Sequence, residues 1–213
     1  MIRSLPPARK TFRHGDLRRA LLEAGIELAR SGGPGAVVLR EATRRAGVAP
    51  NAAYRHFASH GALLQAVRAS AISSLAMAIE SEMAAVRRRK TSSASAARAA
   101  LRAVGTGYLK FAVTETGLFR TSFSVPDEVE RDLDDAKAGR SGLNPFQLLG
   151  LALDLMVESG VLPRERRRGA EYLAWSAVHG LAFLIIDGPL GSASDSEVFA
   201  LSERVLLMVE KGL

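Results

Sequence analysis

Tyr54, Arg55, His56 and Phe57 occupy consecutive positions in a chain that is only 6% aromatic, just past the turn Ala46-Gly47-Val48. A tyrosine hydroxyl and an imidazole N–H can both donate to phosphate oxygens, which sets position on a nucleic acid without reading its sequence. On a helix opened by Pro50, Ala53 and Phe57 lie four apart and face inward. Asn51, Tyr54 and Arg55 then form one outward stripe, and Ala52 and His56 a second. The small residues near the start let the backbone approach base edges closely. Tyr54 and His56 are thus expected to clamp a backbone while Phe57 anchors the helix. Plain surface and core packing is the alternative for both.

Other chemistry is sparse. The four histidines (14, 56, 60 and 179) are scattered, and there is no cysteine, so thiolate metal sites and disulfides are excluded. No nucleophile–base set, paired carboxylates, GxGxxG or P-loop pattern stands in the chain. The expectation is no catalytic residue, no metal, no cofactor and no enzyme. His179 follows Trp175 by four residues, on the same helical face, and reads as a buried, hydrogen-bonded packing histidine.

The charge is located. Residues 1–60 hold eleven Lys/Arg and four Asp/Glu, whereas residues 61–213 hold eighteen of each, so the whole +7 excess sits in the first quarter. Such asymmetry points to a polyanion, either nucleic acid or an anionic membrane surface. No apolar run reaches the ~18 residues that span a bilayer. The opening MIRSLPPARK lacks an apolar signal core, and a cytoplasmic protein is the default.

The elements that must position these residues are helical. Leu17, Leu21, Ala24 and Leu28 make one apolar face, with Asp16 expected to cap its start and Gly32–Gly35 to end it. A second helix runs from about Leu39 to Ala46, closed by Gly47, and a third from Pro50 to about Phe57. Ser59 can cap a fourth, with Leu63, Val67, Ala71, Leu75 and Ile79 inward. Beyond a loop at Arg87–Ala96, helices are expected at about 95–114, 116–124, 127–138, 145–160, 164–187 and 195–211. The chain is therefore all-α, with about ten helices. The run Arg164–Arg168 would open the helix at 164–187 against its dipole, as solvated surface or against an acidic patch of a partner subunit.

The second and third helices have helix-turn-helix proportions, in which the third lies in the DNA major groove and the second crosses the backbone. Here the residues meet a known pattern. FRHGDLRRALLEAGIELARSGG followed by LREATRRAGVAPNAAYRHFASHGALL resembles the N-terminal domain of the TetR family of bacterial transcriptional regulators. FRHGDL and WSAVHGLAFLIIDG (Trp175–Gly188) resemble its subgroup named for a C-terminal Trp-His-Gly sequence, while residues 85–160 match nothing diagnostic.

The resemblance implies a DNA-binding domain over 12–75, with the helix-turn-helix at about 38–57, and a ligand-binding and dimerisation domain over 76–213. It implies that Arg40 reads a base, that Pro50, Asn51 and Ala52 enter the major groove, and that Tyr54, His56 and His60 meet phosphates. Arg9, Lys10, Arg13 and His14 would follow the DNA backbone as an arm. Three positions depart from the family pattern: Val38 and Ala49 stand where capping hydroxyls are usual, and His60 where a lysine is common.

The partners implied are a double-stranded DNA operator, a small-molecule effector and a second copy of the chain, with no membrane. The homodimer would form through helices at about 145–160 and 164–187, using Leu148, Leu149, Ala152, Leu155, Met156, Trp175, Val178, Leu181, Ala182 and Ile185. Tyr108, Phe111, Phe119, Phe123, Met156, Trp175 and His179 are candidates to line an effector cavity, with plain core as the alternative. The expected function is a regulator, most often a repressor in this family, released from a palindromic operator by its effector. The competing function is non-specific binding of DNA or membrane through the basic quarter alone.

Overall fold

The computed structural model describes residues 14–87, 92–126, 132 and 134–213. Among them are nine α-helices and no strand: α1 His14–Gly32, α2 Leu39–Ala46, α3 Pro50–Ala53, α4 His60–Arg87, α5 Ser93–Thr114, α6 Thr116–Ser122, α7 Pro145–Glu158, α8 Ala170–Ile186 and α9 Asp195–Gly212.

Local signals account for the first elements. Leu21, Leu28 and Ala29 bury one face of α1. The helix is already under way at His14, so Asp16 lies within its first turn rather than capping it. α2 runs over the expected residues, and Gly47 ends it at φ 71°, ψ 31°, a conformation that costs a residue with a Cβ. α3 is shorter than expected, with the α-helix ending at Ala53 and a turn carrying the chain to Phe57, whose N–H donates to the Ala53 carbonyl. Ser59 Oγ accepts from Ala62 N at the start of α4.

α4 is the spine. Its inward stripe of Leu63, Val67, Ala71, Leu75 and Ile79 is at most 1% exposed, and the helix packs on α1, α5, α6 and α7. Each such leucine or isoleucine contributes about 1.5–3 kcal/mol by burial. By length and composition α4 could cross a membrane, contrary to the absence of any such run expected from sequence; its packing makes it instead the core of a bundle. The boundary expected at 75/76 falls inside this helix, which both halves of the chain share.

Close backbone approach holds the neighbours in place. A Cβ on Gly107 of α5 would stand 2.6 Å from Ile79 Cα, and one on Gly117 of α6 would stand 2.2 Å from the Ala29 carbonyl oxygen. α6 therefore rests directly on the end of α1, and Arg30 of α1 donates to Glu115 at 2.8 Å beside that contact.

Two expected helices differ. Of 127–138, residues 127–131 and 133 lie outside the described residues; the remainder forms only a 3-10 turn, Asp135–Lys137, capped by Asp134 and left by extended Ala138. The helix expected from 164 begins at Ala170, because Gly169 stands at φ 77° and breaks the run. The arginines before it make a 3-10 turn, and Arg167 pairs with Asp154 and Glu171.

Candidate nucleic-acid interface and effector cavity

The helix-turn-helix is closed from below. Leu39, Ala42 and Thr43 of α2 are buried, as are Ala53 and Phe57, and Thr43 Oγ1 donates to the Arg40 carbonyl at 2.7 Å. The Arg18 guanidinium lies 5.2 Å from the centre of the Phe57 ring, so the anchor also carries a cation–π contact. Neither Val38 nor Ala49 supplies a side-chain cap, and the helix starts rely on backbone alone.

The expected reader residues lie above this floor. Arg40, Asn51, Tyr54, Arg55 and His60 are exposed, and Ala52 and His56 are half-buried. Pro50 opens α3. The Arg40 side chain makes no hydrogen bond or ion pair among the described residues, so its guanidinium stays available. Arg44 and Arg45 are engaged by Glu41, with Arg44 donating twice at 2.8 and 2.6 Å. The Arg44 guanidinium holds the Glu41 carboxyl down at about 2. Of the expected arm, Arg9, Lys10 and Arg13 lie outside the described residues, and His14 is the first residue of α1.

The second half encloses a cavity of about 550 Å³ between α4, α5, α7, α8 and α9, of the size that takes a small molecule. Its walls are mostly apolar. Tyr108, Phe123, Trp175 and His179 line it, together with Ile72, Leu75, Ile79, Phe146 and Leu149. Phe111, Phe119 and Met156, named with them from sequence, are instead buried in the core outside the lining. Phe119 stacks behind the wall, edge-on to Tyr108 at 5.4 Å and tilted against Phe123 at 5.0 Å.

One polar relay stands in that wall. Trp175 Nε1–H donates to the Tyr108 hydroxyl at 3.1 Å, and the hydroxyl lies 2.7 Å from His179 Nδ1. Burial pushes the Tyr108 hydroxyl well above its ordinary value and His179 below its own. Sequence reasoning missed these polar residues of the cavity lining: Arg68, Asp132, Lys137 and Asn144. Arg68 had a signal, as a charge on an otherwise apolar helix face. Lys137 pairs with Asp132 across a segment whose helical period misled, and no local pattern announces that contact.

Residues 21–67 match the family described as "Bacterial regulatory proteins, tetR family", and residues 101–208 match "Tetracyclin repressor-like, C-terminal domain". The chain belongs to the TetR family. The first match of this TetR-family transcriptional regulator contains Arg40 through His60, and the second contains the cavity aromatics and the Trp175–Gly188 segment. Its fold is shared with a protein of unknown function from Rhodococcus sp. RHA1, at TM-score 0.72 and 23% identity over 96% of this chain and 98% of that one. It is similar also to the transcriptional regulator FadR from Bacillus subtilis in complex with stearoyl-CoA (TM-score 0.65, 16% identity, 92% and 98% covered). The fatty acid degradation regulator FadR from Bacillus halodurans follows at TM-score 0.60 and 14% identity, with 92% and 98% covered. No curated protein sequence matches the chain.

Most residues expected at a subunit interface are interior to this TetR-family protomer. Leu148, Leu149, Ala152, Met156, Val178, Leu181 and Ala182 are all buried within the single chain, and Trp175 and Ile185 are half-buried. Only Leu155 of that set is exposed. The uncovered apolar surface is carried elsewhere on the same helices and on α9: Leu173 at 64%, Phe183 at 57%, Phe199 at 68% and Met208 at 60% exposure.

Proposed function

We propose that this chain is a repressor that binds a palindromic operator as a homodimer and is released when a small apolar molecule enters the cavity. Arg40 reads a base on this proposal, with Pro50, Asn51 and Ala52 in the major groove and Tyr54, His56 and His60 on phosphates. The observation that carries it is the sharing of α4. Leu63 and Val67 pack against Gly25 of α1 at one end, and Ile72, Leu75 and Ile79 form cavity wall at the other. A ligand that prefers one tilt of α4 therefore shifts the population of reader positions.

Two copies are needed because one short reader spans few base pairs. Leu173, Phe183, Phe199 and Met208 on α8 and α9 supply the apolar face for that pairing, in place of the buried set on α7 and α8. The stearoyl-CoA complex of the B. subtilis neighbour supports a ligand with a large apolar part.

The test is selection of bound sequences from a random DNA pool, run beside an Arg40→Ala, Tyr54→Ala double variant. An enriched palindrome that the variant loses supports the reader. Salt-sensitive binding without any motif overturns it in favour of a non-specific basic surface.

A further inference from the structure

Within the cavity, the Trp175–Tyr108–His179 relay determines which proton the wall offers. An indole N–H can only donate, so the Tyr108 oxygen accepts from Trp175. The hydroxyl hydrogen then has one remaining partner among the described residues, His179 Nδ1 at 2.7 Å. The reverse arrangement, with Nδ1–H donating, would leave the hydroxyl hydrogen of a 5%-exposed tyrosine without an acceptor among the described residues. Nδ1 is thus the acceptor, and the ring's one proton sits on Nε2.

Nε2 has no protein partner among the described residues, on a ring that lines the cavity between Phe123 at 4.9 Å and Trp175 at 6.0 Å. Burial favours the neutral imidazole, so the site presents a dipole rather than a charge. Resting on the reading of the cavity as an effector site, we infer that His179 Nε2–H is the ligand-selecting donor, and that the effector is an apolar molecule carrying a carbonyl-type oxygen placed among these rings. Trp175 and Tyr108 act as positioning residues, holding the tautomer. A hydrocarbon of the same shape would leave this donor unpaired, which is the source of selectivity.

Trp175 is the only tryptophan in the chain, so its fluorescence reports occupancy directly. The probes are 4-phenyl-2-butanone and butylbenzene, which differ by the ketone oxygen. Both are titrated into the full-length protein, its His179→Phe variant and its His179→Gln variant, with folding checked by circular dichroism. His179→Phe is expected to weaken the ketone about tenfold or more while changing butylbenzene less than about threefold. His179→Gln, whose amide N–H can take the place of Nε2–H, is expected to restore part of the ketone affinity.

In the unliganded protein, nitrogen-15 NMR of His179 should show Nδ1 unprotonated and Nε2 protonated, and Tyr108→Phe should release that preference. Equal losses for both probes, or a protonated Nδ1, overturn the inference and leave the effector-site reading standing. If neither probe binds the wild-type protein, the effector-site reading falls and takes the inference with it.

Discussion

Arg68 of α4 donates from Nε to the carbonyl of Ser122, the last residue of α6, at 3.0 Å, and from Nη2 to the carbonyl of Val125 at 3.1 Å. Ser122 and the adjacent Phe123 both line the cavity, so the spine helix is tied to the cavity wall by a buried guanidinium. Replacing Arg68 with Leu strips both carbonyls of this donor. Hydrogen bonds to charged groups contribute about 1.5–3 kcal/mol, and a loss of about that size is expected in urea denaturation.

Gly117→Ala tests the seat of α6 on α1. The added Cβ would meet the carbonyl oxygens of Ala29 and Arg30 at 2.2 and 2.3 Å, and neither is the end of a flexible side chain. Overpacking of this kind costs about 1–3 kcal/mol. A drop in Tm of several degrees is expected by calorimetry, whereas an unchanged Tm would mean that α6 does not sit on α1 in solution.

The helix starts left without caps should be improvable. Ala49 has the extended backbone of an N-cap but no side-chain acceptor. Ala49→Ser is expected to stabilise the protein by about 0.5–2 kcal/mol in chemical denaturation. Val38→Ser on α2 should act in the same direction.

Reader residues should separate by kind. Arg40→Ala is expected to cost about 1–3 kcal/mol on the preferred operator and to relax preference at one base pair. Tyr54→Phe should weaken all sequences alike, because a phosphate contact carries no base information. Fluorescence anisotropy with matched and single-substituted duplexes distinguishes the two outcomes.

Glu80 predicts an acid-sensitive contact. Burial opposes its ionisation, but hydrogen bonds from Ser141 Oγ and N and from Arg140 N outweigh it, and the carboxyl stays below its ordinary value of 4.5. A group lowered by folding stabilises the native state above its unfolded value and loses that contribution as pH falls through its folded value. Stability should therefore be insensitive to this contact above about pH 5 and decline below it. Glu80→Gln should flatten that acid limb in denaturation curves taken from pH 6 to pH 3.

Much of the helix-turn-helix was legible because its signals are local. The ends of α2 follow from Leu39 periodicity and Gly47, and the inward positions of Ala53 and Phe57 follow from their spacing on one turn. Length was harder: Pro50 announces the start of α3, but its stop after Ala53 has no marker in the residues that follow. Likewise the arginines at 164–168 look helical until Gly169 adopts a left-handed backbone.

Helical spacing established an all-α chain and the stripe of α4, and the count of charges along the chain located the basic first quarter, since each depends on residues near one another in sequence. It could not separate Phe123, Trp175 and His179, which face a cavity, from Phe111, Phe119 and Met156, which fill the core. Periodicity says which side of a helix is apolar, but whether that side meets atoms or space depends on what other helices bring to it. The same limit applies to the relay: Tyr108 and His179 are 71 residues apart, and only the packing of α5 against α8 sets the hydroxyl 2.7 Å from Nδ1.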